Sequence, residues 1–546
     1  MALGSHIYAG NPSVLTARLH PGGRRGLAAL AALASLAGAA CGVPKHSAPA
    51  LGLEQAPAAP ALAQYEAASG ESYTPRSDNP VVATATAPVS TFSIDVDTAS
   101  YANVRRFLRD GALPPRDAVR AEELINAFSY RYQVPRPGVD EPIALTTELA
   151  ASPFHPAQRL VRIGLATAPI AAEDAPPRNL VFLIDTSGSM TDANKLPLLL
   201  AGLRLLVANL RAIDHVGIVA YAGSAGVVLE PTPGDHKSEI LAALEQLQAG
   251  GSTNGGAGIE AAYRLAQASF RKGGINRVIL CTDGDFNVGV ASQDALIELI
   301  SARRQSGVYL TVMGFGAGNL KDSTMESLAQ HGNGNYGYVD TLAEARKLLV
   351  EQAGSTLLTV AKDVKIQVAF EPARVAAYRL IGYENRLLAE RDFTDDSKDA
   401  GEIGAGHRVT ALYEVQLTDE AARAPAGGEL LTVHVRYKRE QAATSLELAT
   451  AVADARRSFA EASPDLRLAA ALAGFAMLLR GAGSELRGDV DYRWARDTVA
   501  AVVGQGPARD EISNEVRNER EELVALIEQA ARLSGQGAAP SVTLAR

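Results

Sequence analysis

The order of apolar and polar positions is most regular between residues 178 and 354. Short continuous apolar runs alternate there with longer amphipathic segments. This alternation predicts a mostly parallel sheet covered by helices on both faces, because doubly buried strands read as unbroken apolar runs. The predicted strands are 180–185, 216–222, 227–229, 277–282, 309–314 and 336–339, and the predicted helices are 191–212, 237–248, 255–271, 292–306, 321–331 and 342–352. We therefore expect an α/β domain, doubly wound around a mostly parallel six-stranded sheet.

Strand patterns also occur on both sides of this α/β domain. Before it, the pattern predicts strands at 92–97, 143–149 and 160–166, with helices at 99–110 and 116–128. After it, the pattern predicts strands at 364–370, 376–383, 407–416 and 430–437, then helices at 445–461, 464–480, 493–503 and 508–533. We expect the two β-rich segments to form one β-sandwich, with the α/β domain inserted between them and a helical C-terminal region behind.

The first 41 residues have the pattern of an export signal. Arg24 and Arg25 precede a run of apolar and small residues, 26–40, that is shorter than the ~20 residues of a membrane-spanning helix. The end of this run resembles the site at which bacterial lipoproteins are cleaved and lipidated on a cysteine, here Cys41, although Gly38 stands where Leu is usual. The resemblance implies an anchor in the cell envelope, and Gly42 in place of Asp favours the outer membrane. The alternative is cleavage nearby by an ordinary signal peptidase, which would give a secreted or periplasmic soluble protein.

The composition changes between this signal and the first predicted strand. Residues 42–90 are rich in Ala, Pro, Ser and Thr, which predicts a disordered tether. We place an N-terminal segment at 91–175, the α/β domain at 176–356, a C-terminal region at 357–535 and a tail at 536–546.

Charge and cysteine content narrow the classes of function. The formal net charge is −9 and the chain has no basic block, which argues against nucleic acid as a partner. One cysteine, Cys41, lies in the processing site and the other, Cys281, lies inside an apolar strand, so we expect no disulfide.

Candidate chemistry lies where predicted strands end. The stretch Asp185-Thr186-Ser187-Gly188-Ser189 follows one apolar run directly, and Asp283 follows another. In an open parallel sheet, ligands bind outside the carboxyl ends of the strands. Carboxylate and hydroxyl oxygens are the ligands that Mg²⁺ prefers. The pattern therefore indicates a site for a hard cation at this edge of the sheet.

Together with Thr253 in Gly251-Ser252-Thr253-Asn254, these residues resemble the metal-ion-dependent adhesion site of a von Willebrand factor type A domain. Further stretches resemble one exported bacterial subfamily, including its N-terminal segment and its C-terminal domain of unknown function: 92–101, 194–199, 222–229, 282–289, 332–336, 362–368 and 405–414. The resemblance covers residues 90–535. It implies that Mg²⁺, or Mn²⁺ in its place, is held directly or through water by Asp185, Ser187, Ser189, Thr253 and Asp283. An exchangeable position on the ion would then bind an Asp or Glu carboxylate of a protein partner.

Three functions are compatible with this resemblance. The first is an envelope-anchored binding protein with a Mg²⁺-dependent adhesion site, and the second is an accessory or chaperone-like subunit of an envelope complex that uses the same residues. The third is a metal-dependent hydrolase. The sequence has no H-E-x-x-H, P-loop or G-x-S-x-G motif, and His215, the histidine nearest to Ser187 in sequence, precedes a strand whose end points away from the site. We therefore expect no enzymatic activity.

Overall fold

The computed structural model describes residues 70–136, 141–171, 173–251, 255–284, 293–352, 358–398, 400–439, 444–482, 489–504 and 514–536, together with Ala442 and Leu486. All of these belong to one compact unit. The expected signal with Cys41, the first part of the expected tether and almost all of the expected tail lie outside the described residues.

The strands occur in three groups along the chain. The first group is β1 (Val82–Ala83), β2 (Val89–Ser93), β3 (Ile143–Ala151) and β4 (Gln158–Thr167). The central group is β5 (Arg178–Asp185), β6 (His215–Tyr221), β7 (Ala225–Pro233), β8 (Ile275–Thr282), β9 (Tyr309–Phe315) and β10 (Tyr336–Val339). The last group is β11 (Thr359–Phe370), β12 (Val375–Ile381), β13 (Leu387–Leu388), β14 (Gly401–Gly404), β15 (Arg408–Leu417), β16 (Glu429–Arg439) and β17 (Ser445–Ala453).

The helices also follow this division. The N-terminal helices are α1 (Ala99–Arg109) and α2 (Ala121–Asn126). The central helices are α3 (Leu196–Ala208), α4 (Lys237–Glu245), α5 (Gly255–Ala268), α6 (Gln293–Arg304), α7 (Asp322–His331) and α8 (Leu342–Arg346), and a π-helical stretch, Lys347–Gln352, continues α8. The C-terminal helices are α9 (Asp419–Arg423), α10 (Pro464–Leu479), α11 (Tyr492–Gly504) and α12 (Asn514–Leu533).

The central sheet has the strand order β10-β9-β8-β5-β6-β7. Strand β7 runs antiparallel to β6, and the other neighbours pair in parallel. Every residue of β5 and β8 is buried, because α5, α6 and α7 cover one face of the sheet while α3, α4 and α8 cover the other. The prediction of a doubly wound, mostly parallel six-stranded sheet is confirmed.

The other two sheets pack face to face as a β-sandwich. Their strand orders are β1-β12-β15-β4-β3 and β13-β2-β11-β16-β17, with β14 added to β11. Strand β15 pairs with β4, and β11 pairs with β2, so strands from before and after the central domain are direct neighbours. Phe92 and Val161 of the first group share one apolar core with Val368 and Tyr413 of the last. The α/β domain is therefore inserted into one sandwich, as the sequence predicts.

The C-terminal helices form a third core against the N-terminal segment. Helix α10 is buried along nearly its whole length and packs with α2 and α11, in a core that α12 shares. None of the helices in the described part of the chain has the length and apolar character needed to cross a bilayer.

Two predicted helices are wrong in part. The first part of the segment predicted as a helix at 445–461 forms β17 instead, because pairing along the whole of β16 overrides its Ala-rich composition. The helix predicted at 116–128 is split, since Val119 and Arg120 are extended between a short 3₁₀ turn and α2. This break lets the Arg120 guanidinium enter a buried group of acids.

The predicted tether is also too long. Within residues 70–90, β1 pairs with β12, and Ser72 forms a parallel bridge with Lys321. The Asn79 amide donates to the Gly382 carbonyl at 2.7 Å. These contacts join residues that are far apart in the sequence, so the composition of residues 70–90 alone does not predict them.

Buried ion pairs join the N-terminal segment to the α/β domain. Arg120 contacts Glu123 and Asp322, and its guanidinium lies 3.3 Å from Glu326. Glu326 also lies 3.5 Å from the guanidinium of Arg386. Burial raises the pKa of Asp322 to about 6, against the opposing effect of Arg120. These pairs hold α7 against the segment that carries α2.

Asp214 fixes the amino ends of β5 and β6. Its fully buried carboxylate accepts from the backbone N–H of Arg178 at 3.1 Å and of Arg211 at 2.9 Å, and it pairs with both guanidinium groups. Burial alone would raise the pKa of Asp214, but the hydrogen bonds from Arg211 and Arg178 outweigh burial and hold this pKa well below its usual range.

Replacing Arg120 with Met should destabilise the fold strongly. The change leaves Glu123 and Asp322 buried without their counter-charge, and breaking such a buried pair costs about 3–5 kcal/mol. Urea unfolding at pH 7 measures this loss. Arg116→Met is the control, since the Arg116 side chain is 55% exposed and lies 3.5 Å from Asp78; it should cost less than about 1 kcal/mol. Equal losses in the two variants would contradict a special role for the buried ion pairs.

Replacing Asp214 with Asn should produce a loss of stability that depends on pH. A carboxyl whose pKa is lowered by folding stabilises the folded state above its unfolded pKa of about 4, and this contribution disappears as the pH falls below that value. The difference in free energy of unfolding between parent and variant should therefore be largest near neutral pH and shrink from about pH 5 downwards. A difference that stays constant between neutral and acid pH would rule out this ionic origin.

Candidate metal centre

Strand β5 ends in a carboxylate that is held from three sides. Asp185 is fully buried and accepts from the Ser187 backbone N–H at 2.9 Å. Its second oxygen accepts from the Tyr221 hydroxyl at 3.2 Å and from the Thr282 hydroxyl at 3.1 Å. Burial raises the pKa of Asp185, and the nearby Asp283 adds to this rise, while the hydrogen bonds oppose it. The three donors come from three different strand ends, so the fold of the sheet fixes the orientation of this carboxylate.

The loop after Asp185 brings two hydroxyls together. Residues Gly188–Thr191 form a 3₁₀ turn, in which the Ser187 and Ser189 hydroxyl oxygens lie 3.0 Å apart. The backbone N–H of Gly188 donates to the Gly251 carbonyl at 3.1 Å, which ties this loop to the segment before α5. Thr253, the predicted ligand from that segment, lies outside the described residues. Because of the 3₁₀ turn, the helix predicted from residue 191 begins later, at the start of α3.

Asp283 lies at the end of β8 and has a cationic neighbour that sequence reasoning missed. The Lys195 ammonium lies 3.0 Å from Asp283 Oδ2 and donates to the Ser189 carbonyl at 3.0 Å. Both side chains are buried. The sequence offers one signal for Lys195: it belongs to the stretch 194–199 that resembles the bacterial subfamily, just before the helix that follows the serine loop. Thr282 and Tyr221 were missed in the same way, since their hydroxyls reach Asp185 only across the sheet.

Four of the five predicted ligands are therefore brought to one edge of the central sheet. Asp185, Ser187, Ser189 and Asp283 offer two carboxylates and two hydroxyls, a hard-oxygen set that fits Mg²⁺ or Mn²⁺. Ser189 is partly exposed, which gives access from solvent. In the described residues, three or more His, Cys, Asp or Glu side chains are nowhere grouped to hold a metal ion. An ion at this edge would thus depend on hydroxyl ligands as well as carboxylates.

Other reactive side chains lie elsewhere or are shielded. His215 is the first residue of β6, and the opposite end of this strand pairs with Asp185. The His215 ring lies 2.9 Å from a guanidinium nitrogen of Arg271. Cys281 is a free, fully buried thiol inside β8, as expected, and burial raises its pKa.

Three family models match this chain. The von Willebrand factor type A domain matches residues 179–352, and a model described as von Willebrand factor matches 67–162. A model of the C-terminal region of the uncharacterized protein YfbK matches 355–533.

Two solved structures are among those that match parts of this chain. A von Willebrand factor type A protein from Catenulispora acidiphila is 15% identical, with 72% of this chain and 98% of that chain covered and a TM-score of 0.40. BatB from Bacteroides thetaiotaomicron is 20% identical, with 32% and 97% covered and a TM-score of 0.28.

Among curated relatives, the protein sll0103 of Synechocystis is 26% identical over 34% of this chain and 44% of its own length. The uncharacterized protein YfbK of Escherichia coli is 40% identical over 502 residues, which cover 88% of this chain and 85% of YfbK. The chain therefore belongs to the YfbK family of proteins with a von Willebrand factor type A domain.

Proposed function

We propose that this protein is a binding protein of the cell envelope that engages a protein partner through Mg²⁺ held at the edge of its central sheet. The observation that carries the proposal is the contact between the Ser187 and Ser189 hydroxyls, at 3.0 Å, beside the buried carboxylates of Asp185 and Asp283. Domains of the von Willebrand A type mediate protein interactions in general and commonly bind a metal ion, which supports this assignment.

The residues of the site would have separate tasks. Asp185 is oriented by three donors, so its carboxylate needs little reorganisation to act as a ligand. Ser187 and Ser189, with Thr253 from the neighbouring segment, would supply neutral oxygens, and Asp283 would supply a second negative charge. A bound Mg²⁺ would supply positive charge and an exchangeable position for an Asp or Glu carboxylate of the partner.

The envelope location rests on the N-terminal sequence. The run at 26–40 and Cys41 favour a lipid anchor in the outer membrane, with a secreted or periplasmic soluble protein as the alternative.

We also propose that the site binds and does not catalyse. The Ser187 hydroxyl contacts that of Ser189, whereas the ring of His215 contacts Arg271 at the start of β6. A serine nucleophile requires a base within hydrogen-bond reach, and this separation disfavours hydrolysis by Ser187.

Mg²⁺ should raise the thermal stability of the full chain. A ligand that binds only the folded state adds about 2.7 kcal/mol at a concentration of 100 Kd. Titration with Mg²⁺ and Mn²⁺ should raise the Tm of the parent, and Asp185→Ala and Asp283→Ala should each abolish the rise. Asp192→Ala is the matched control, because Asp192 lies in the same loop but its side chain is 72% exposed. A parent whose Tm is unchanged at millimolar Mg²⁺ and Mn²⁺ would contradict the proposal.

Partner binding should depend on the metal. The immobilised protein should retain an envelope protein in Mg²⁺ and release it in EDTA, and Asp185→Ala should fail to retain it under either condition. Identification of the retained protein by mass spectrometry separates a free binding protein from a subunit of a larger complex. If the protein is retained equally well in Mg²⁺ and in EDTA, the partner does not bind through a carboxylate on the ion.

A further inference from the structure

Lys195 is a buried cation inside the candidate metal centre. Its side chain is 4% exposed, and its ammonium contacts two parts of the centre at 3.0 Å each, the Asp283 carboxylate and the Ser189 carbonyl. Asp192 lies farther from the ammonium, at 3.8 Å, and is largely exposed. A charged side chain is seldom buried without such partners, so Lys195 is part of the centre itself.

The loop after β9 is shaped to admit this side chain. Gly316 has a φ of +75°, and a Cβ placed on it would lie 2.3 Å from Cε and 2.4 Å from Cγ of Lys195. The Tyr338 hydroxyl donates to the Gly316 carbonyl and so anchors this loop. Glycine is therefore required twice at this position, for its backbone conformation and for the space that the lysine stem fills.

We propose that Lys195 is a built-in counter-charge of the metal centre, which holds Asp283 in place before an ion binds and lowers the affinity of the centre for divalent cations. This inference rests on the function proposed above. Asp185 and Asp283 bring two negative charges, and Lys195 cancels one of them. Among these described groups, a divalent ion then leaves one net positive charge, whereas without Lys195 the charges would cancel.

The net positive charge of the occupied centre affects which side chain of a partner binds there. An ion that its own protein neutralises completely attracts an anionic ligand weakly, because the two carboxylates already balance its charge. With Lys195 in place, a partner carboxylate is the group that brings the centre to neutrality. Lys195 would thus weaken metal binding but strengthen selection for an acidic side chain over a neutral one.

The test is the concentration of Mg²⁺ that gives half of the Tm rise in the full chain. Lys195→Met should lower the Tm without metal, since Asp283 loses its contact with the ammonium, and should lower the half-saturating Mg²⁺ concentration by at least about tenfold. Lys195→Gln, which can still donate to Asp283, is the second variant in case Lys195→Met fails to fold, and it should shift in the same direction. Lys195→Arg retains the charge and should stay within about threefold of the parent. Arg178→Met is the matched control, because it removes a buried cation from the opposite end of β5 and should lower the Tm without moving the half-saturation.

The outcomes separate this inference from the proposed function. A parent that responds to Mg²⁺, with the same or a higher half-saturation in Lys195→Met and Lys195→Gln, overturns the inference and leaves the proposed function standing. A response that appears only when Lys195 is neutralised supports the inference in its strongest form, in which the ammonium takes the place of the ion, and overturns the proposed function. No response in any variant overturns both.

Discussion

A carboxylate that is removed from water must find donors or a cation, and this constraint governs the whole of the central domain. At the amino end of the sheet, Asp214 is balanced by two arginines. At the carboxyl end, Asp185 is balanced by hydroxyl and amide donors, and Asp283 by Lys195. The two ends differ in one respect that matters for function. The arginines satisfy Asp214 with several direct contacts, whereas the carboxyl end places the Lys195 ammonium near a buried Ser187 and a Ser189 that is partly exposed to solvent.

The same constraint explains how the three parts of the chain are held together. The α/β domain is joined to the N-terminal segment by Arg120 and the acids around it, and Arg105 pairs with Glu344 at the start of the helix that closes the domain. Such pairs add little net stability compared with apolar packing, but removing one partner is costly because the other charge is left buried and unbalanced. They therefore favour a single arrangement of the α/β domain against the rest of the chain.

The central sheet could be predicted from sequence because each of its buried strands is marked by a local pattern of apolar residues. Double burial produces unbroken apolar runs, and the D-x-S-x-S stretch stands directly after one of them, so the sheet edge and the candidate ligands follow from the same pattern. Lys195 could not be recognised, because a lysine before an amphipathic helix reads as an exposed residue until the loop after β9 is placed over it. Strand β17 was missed for a related reason: its composition favours a helix, and only pairing with β16 makes it a strand. The contacts of residues 70–90 likewise depend on partners some three hundred positions away, such as Ala376 and Gly382.

The insertion of one domain into another has a consequence for how the chain is made. In the sandwich, Arg408 lies opposite Ala166, so β4 can pair with β3 early but cannot pair with β15 until the whole α/β domain has been synthesised. The α/β domain itself is contiguous in sequence and can fold while the chain is still growing. Meanwhile β2 and β4 have unpaired edges, and exposed edges of this kind promote association with other chains. The topology therefore leaves these edges exposed until the last group of strands is made, independent of anything that the finished protein binds.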